Sequence, residues 1–149
     1  MVFRFIWVGK TRNESLRALL DDYSSRLKRF VRCEISEVRE FAEEGSATES
    51  KRILAALRTG STPVLLEVEG REWSSYELAR QIEVWQNESH KELTFIIGGV
   101  NGVSDDLKAQ INLHWSLSRL TFTHEMSRVM TLEQLYRAFT IIHGLPYQK

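Results

Sequence analysis

Leu93-Thr94-Phe95-Ile96-Ile97-Gly98-Gly99-Val100-Asn101-Gly102 is the stretch whose reading sets the fold. Five uncharged residues in a row leave neither side of an extended strand polar, so both sides must be covered. Strands buried on both faces belong to parallel sheets flanked by helices. Two glycines stop the strand, and a short helix is predicted near Asp105–Ile111.

Upstream, Val2–Val8 reads as a buried strand. Asn13 reads as the N-cap of a helix carrying Leu16, Leu19, Leu20, Tyr23, Leu27 and Phe30 at helical spacing. A second strand is expected over Cys33–Val38. Residues 41–50, acidic and polar, read as a loop that enters a helix around Lys51–Arg58. Gly60-Ser61-Thr62-Pro63 is punctuation before a third strand, Val64–Val68. Ser74 or Ser75 caps a helix with Leu78, Ile82 and Trp85. Downstream, a fifth extended stretch falls around His114–Leu117. A final helix starts near Thr123, with Glu133 and Arg137 four apart in the favourable order for a surface ion pair. Strands alternating with helices give an α/β fold, a mostly parallel sheet flanked by helices. No repeat, low-complexity tract or linker interrupts it, so residues 1–149 read as one domain.

The bulk numbers agree. At 149 residues, 42% hydrophobic and 27% charged, the chain buries a core without disulfides or metal. Its single cysteine, Cys33, forms no intramolecular disulfide and reads as a buried or half-buried structural residue in a reducing, cytoplasmic setting. No signal peptide or membrane span is visible. Net charge is zero, against a strongly basic nucleic-acid binder, yet charge is unevenly spread. Residues 1–32 hold eight Lys/Arg against three Asp/Glu, whereas residues 33–50 hold one against six. The basic N-terminal region is either a phosphate-contacting surface or a solvated helix face.

Ligands of parallel α/β sheets bind beyond the carboxyl ends of strands. Three segments qualify here: Glu67–Gly70, Gly98–Gly102 and Ser116–His124. The three glycines of the second permit positive φ and close approach to a ligand, or simply make a sharp strand-to-helix turn. A dinucleotide fingerprint fails on glycine spacing and on its late position, and a Walker loop fails for lack of Gly-Lys-Ser/Thr. The third segment is rich in hydroxyls and ends at a helix start, where backbone groups suit an adenine or a carboxylate, or serve as an ordinary connection. His124 sits at that start. Arg128, one turn on, faces the same side and is by default exposed. There is no Gly-x-Ser-x-Gly elbow or His-Glu-x-x-His motif, and the four histidines lack metal-ligand spacing, so no metal is expected.

Taken together, Phe95–Gly102, Leu117–Phe122, His124–Val129, Glu133–Ala138 and Pro146-Tyr147, with Val8-Gly9-Lys10 and Leu66–Gly70, resemble the ribosomal RNA large subunit methyltransferase H family of the SPOUT class. The likeness runs almost end to end. It implies a C-terminal trefoil knot, a rare exception to the usual connection rules. It implies a homodimer that uses S-adenosylmethionine to methylate N3 of a pseudouridine in a stem-loop of large-subunit rRNA, at the subunit interface of the assembled ribosome. By the same resemblance, the cofactor contacts fall on Leu66, Gly98, Leu117, Ser118, Arg119, Leu120, Thr121 and Phe122. The methyl-transfer chemistry makes His124, Arg128 and Tyr147 the expected residues on the RNA side, with Arg137 a further candidate. Gln148 stands where the family commonly has a histidine, which removes a group titrating near neutrality.

Three rival readings remain at this level. One is a SPOUT methyltransferase acting on a different RNA site. Another is a non-catalytic ribosome-binding or assembly module, and the last is a dinucleotide-type binding domain.

Overall fold

The computed structural model describes residues 1–147. Five strands form one wholly parallel sheet: β1 (Val2–Val8), β2 (Arg32–Val38), β3 (Thr62–Glu72), β4 (Glu92–Ile97) and β5 (Leu113–Ser116), in the order β2-β1-β4-β3-β5. The helices are α1 (Glu14–Leu27), α2 (Ser46–Ala56), α3 (Ser75–Asn87), α4 (Asp105–Gln110) and α5 (His124–Ile142).

The two-residue period of the strands builds two cores. Phe3, Phe5 and Trp7 point to one face and meet Leu27 of α1, Ile82 and Trp85 of α3, and Leu132, Leu135 and Phe139 of α5. Ile6 and Val8 point to the other face, with Leu65 and Ile96, and are covered by Ile53 of α2 and Leu107 of α4. Burial on both sides explains why β1 and β4 are apolar nearly throughout; Arg4, the charged residue inside β1, donates to Ala56 O and Ser36 Oγ. β2 lies at an edge and leaves Ile35 exposed. Cys33, on the same strand, is half-buried, and burial pushes its thiol up to about 12.

The helix starts follow local chemistry. Asn13 Oδ1 accepts the Leu16 amide at 3.0 Å. Ser74, rather than Ser75, caps α3 in a reciprocal capping box with Glu77. Thr123 caps α5 by accepting the Met126 amide.

Two expectations are corrected. α2 begins at Ser46, not near Lys51, and ends at Ala56. Glu49 in its first turn accepts the Phe41 amide at 2.8 Å, tying the acidic segment to the helix. Glu67–Gly70 is not a loop but part of β3, which runs on to Glu72. Its pairing with β5 is irregular: both Leu66 and Arg71 lie opposite Trp115. Gly70 makes this possible, because a Cβ there would sit 2.7 Å from the His114 carbonyl carbon. The sequence offered no turn signal beyond that glycine, and an edge of hydrogen-bonding groups on β5 captured the segment.

Candidate functional site

At the carboxyl end of the sheet the chain leaves β1 toward β2 on one side and leaves β4 toward β5 on the other. Such a divergence opens a crevice. Here it is a cavity of about 860 Å³, within the range of ligand sites. Its walls come from the middle of β3, the Gly98–Val103 segment, the chain from Leu117 to α5, and Asn13 and Leu16 of the β1–α1 region.

The glycine segment is shaped by close approach. A Cβ on Gly98 would lie 3.0 Å from Val103 Cγ1 and 3.1 Å from the Gly102 carbonyl, and one on Gly99 would lie 3.0 Å from Val8 Cγ1. Gly102 holds φ at +69° and donates its amide to Gly99 O at 3.0 Å, closing the turn. Ser104 then caps α4 through the Leu107 amide, while its own amide donates to Ser50 Oγ. The Gly98 and Gly99 backbone thus lies at the cavity wall, flanked by Val100, Asn101 and Val103.

The wall opposite is the hydroxyl-rich segment. Ser116 Oγ donates to Ser118 O at 2.9 Å, and Ser118 Oγ accepts the Leu120 amide at 3.1 Å, so both hydroxyls shape the backbone. Of the residues expected to meet a cofactor, Leu66, Gly98, Leu117, Ser118, Leu120, Thr121 and Phe122 line the cavity. The Arg119 side chain does not. It is 89% exposed and points toward Glu72, 3.9 Å away, on the outer side of the β3 extension.

His124 lines the cavity at the first turn of α5. Burial, and next the Arg128 guanidinium, hold its imidazole below 6.5, so it is neutral at pH 7. Arg128 is not the exposed residue expected from its spacing. Its side chain is fully buried under the β1–α1 segment, donating to Val8 O at 2.5 Å and to Thr11 Oγ1 at 2.9 Å, with Trp7 against its face. Burial lowers its pKa to about 10, which still leaves it charged. Buried there, it has no access to a phosphate. Glu125 completes the anchorage by accepting the amides of Arg12 and Asn13 at 2.7 and 3.0 Å. The start of α5 therefore clamps the segment that forms one rim of the cavity.

Tyr147 lies elsewhere. Its hydroxyl donates to Glu133 Oε1 at 2.9 Å and sits 3.4 Å from the Tyr23 hydroxyl, while its ring packs on Tyr136. Arg137 pairs with the same Glu133 and stacks on Tyr147. Glu133 is nine residues beyond His124, about 13 Å along the helix. Within one chain His124 is thus at the cavity, and Tyr147 and Arg137 are not. Gln148 lies outside the described residues.

Sequence reasoning missed two contributors. Glu125 was hidden because its partners are backbone amides 112 and 113 positions away. Lys108 lines the cavity and pairs at 3.2 Å with Glu67, a residue of the first strand-end segment, and only the tertiary fold brings their separate elements together. Among the described residues no group of three or more His, Cys, Asp or Glu is arranged to hold a metal, and no helix is long and apolar enough to cross a membrane.

The family described as predicted SPOUT methyltransferase matches residues 1–148. The chain is 42% identical over 153 residues to the ribosomal RNA large subunit methyltransferase H of Geotalea daltonii, covering 99% of each chain. It is 36% identical over 159 residues to the protein of that name from Acetivibrio thermocellus, covering both completely, at 100%. Among solved structures, a putative methyltransferase from Legionella pneumophila in complex with bound SAM aligns with a TM-score of 0.55 and 14% identity, over 93% of this chain and 66% of that one. A probable methylase family protein from Haemophilus influenzae aligns with a TM-score of 0.56 and 10% identity, over 99% and 70%. At these identities the structural likeness speaks to the fold.

Proposed function

The chain belongs to the SPOUT methyltransferases and, within them, to the ribosomal RNA large subunit methyltransferase H family, and on that premise we propose that it methylates N3 of a large-subunit rRNA pseudouridine on the assembled ribosome, with S-adenosylmethionine as donor. The observation that carries the reading is the glycine-walled cavity at the strand ends, found in a chain that matches those relatives over its whole length. The cavity fits such a donor: the Gly98–Gly99 backbone, packed against Val8, Gly102 and Val103 too tightly to carry a Cβ, stands at its wall, and the 117–122 segment offers backbone groups for an adenine.

When bound, the donor supplies a sulfonium methyl for in-line displacement. The protein's own part is alignment and proton handling. Leu66, Leu117 and Phe122 exclude water from one side, while the Gly98–Gly102 turn keeps a fixed shape. Neutral His124, at the rim, is the base that takes the N3 proton of the acceptor ring. Arg128 and Glu125 hold the rim segment and so position the acceptor without touching it. Arg119, exposed outside the cavity, stands at the surface where RNA phosphate can reach it, as do the exposed basic residues of the N-terminal region.

A homodimer and the C-terminal trefoil knot are parts of the same proposal. One protomer's Tyr147 stands beside the middle of α5, about 13 Å along the helix from its own His124, so a role for it at the target base calls for a second copy of the chain.

The test is transfer of labelled methyl from S-adenosylmethionine to assembled ribosomes lacking the modification, with the product nucleotide mapped by mass spectrometry. Label on N3 of a large-subunit pseudouridine is the expected result. Label elsewhere would overturn the site. No label, with no cofactor binding, would replace the enzyme by a ribosome-binding module.

A further inference from the structure

We propose that Glu67 and Lys108 form a subsite for the amino-acid end of the methyl donor, Lys108 meeting its α-carboxylate and Glu67 its α-ammonium. The inference rests on the reading of the cavity as a donor site and adds to it the residues that recognise the zwitterion.

The adenosine half of such a ligand is neutral, and the walls assigned to it are glycine, small hydroxyl and apolar residues. The methionine half carries two opposite charges that lose water on binding and need partners. The charged residues lining the cavity are few. Glu125 already accepts two backbone amides. Glu67 and Lys108 remain, one of each sign, 3.2 Å apart.

Both are held in place by backbone. Glu67 sits at the irregularity where β3 leaves and rejoins β5. Lys108 lies in α4, whose end is fixed by His114: its Nε2 donates to Lys108 O and Ile111 O, at 3.1 and 2.7 Å. Two carbonyl acceptors require the proton on Nε2.

The pair is only partly exposed, with Glu67 at 17% and Lys108 at 37%, and an ion pair of this kind adds little to folding stability. It keeps chemical capacity to spare. Lys108 has three N–H donors and Glu67 two acceptor oxygens, and their mutual contact occupies one of each. A zwitterion laid antiparallel to the pair satisfies the rest through charge-assisted hydrogen bonds, the strong kind. The pre-paired state also keeps either charge from standing alone when the cavity is empty of ligand.

The experiment is titration calorimetry of the full chain with three probes: S-adenosylhomocysteine, its decarboxylated analogue, and 5′-methylthioadenosine, which lacks the amino-acid end. The unmodified protein should bind S-adenosylhomocysteine at least about tenfold tighter than methylthioadenosine. Glu67→Gln and Lys108→Met should each lose about tenfold for S-adenosylhomocysteine while holding methylthioadenosine unchanged, which also reports that they fold. Lys108→Met alone should cease to distinguish the decarboxylated analogue. Variants that keep the original preference overturn the subsite while leaving the donor cavity intact. Failure of the unmodified protein to bind any of the three overturns both readings.

Discussion

Gly70→Ala should destabilise the protein at the point where β3 bends against β5. The added Cβ would lie 2.7 Å from the His114 carbonyl carbon and 2.8 Å from both its oxygen and the Trp115 nitrogen. Carbon contacts are comfortable at about 3.5–4 Å, so one strand must move by roughly 1 Å. These are backbone atoms of a paired strand, and no rotamer change relieves them. Gly70 is not among the glycines with positive φ, so the penalty is steric rather than conformational. Overpacking of this kind costs about 1–3 kcal/mol, and the stiffer unfolded chain returns about 0.4–1 kcal/mol. A net loss of about 1 kcal/mol lowers the melting temperature of a domain this size by about 2–4 °C. Thermal unfolding followed by circular dichroism measures it directly. Gly60 supplies the contrast, with φ at +81° and nothing within 4 Å of its Cβ position. There asparagine, which tolerates the left-handed region, should be close to neutral, whereas Gly70→Asn should be as damaging as alanine. A Gly70→Ala protein melting within about 1 °C of the parent would refute the close-approach argument. Because the same bend carries Leu66 and Glu67, S-adenosylhomocysteine binding should weaken in parallel.

Three further outcomes are expected. Methyl transfer should be flat above neutrality and fall on an acid limb whose apparent pKa lies below 6.5, since burial and Arg128 favour neutral His124; His124→Asn should abolish that limb, and a limb at or above 6.5 would remove His124 as the base. Arg128→Met leaves Val8 O and Thr11 Oγ1 without their buried donor, and after relief of the buried charge should still cost about 2 kcal/mol, with faster amide exchange over residues 9–13; unchanged exchange there would show that Arg128 does not anchor the rim. Cys33, with its thiol pushed up to about 12, should resist iodoacetamide at pH 7.5 in the folded protein and react on unfolding, as read by mass spectrometry.

Much of the fold was legible because local rules and tertiary packing agree. The alternation that puts Phe3, Phe5 and Trp7 on one face and Ile6 and Val8 on the other is written in β1 itself. Asn13, Ser74 and Thr123 cap the helices they precede because their side-chain oxygens reach amides three residues on. Strand-end reasoning led to the Gly98 and Leu117–Phe122 segments before any geometry was known, since a parallel sheet leaves few other places for a ligand.

What failed to read was non-local. Arg128 looked exposed because helical spacing gives a direction around the axis and not what lies over it; the β1–α1 segment, 117 and 120 positions away at its contact points, covers it. Glu67–Gly70 looked like a loop because nothing local reveals that β5 waits beside it. Tyr147 is expected beside His124 on the RNA side, and within one chain about half the length of α5 separates them.

The sequence by itself determined the α/β class, the helix caps, the faces of the central strands and the glycine turn that walls the cavity. All of these depend on periods of two and 3.6 residues or on hydrogen bonds spanning three or four. The tertiary structure alone decided the burial of Arg128, the clamp made by Glu125 and the meeting of Glu67 with Lys108. Those depend on which distant segments share a crevice, and that follows from the order of strands in the sheet.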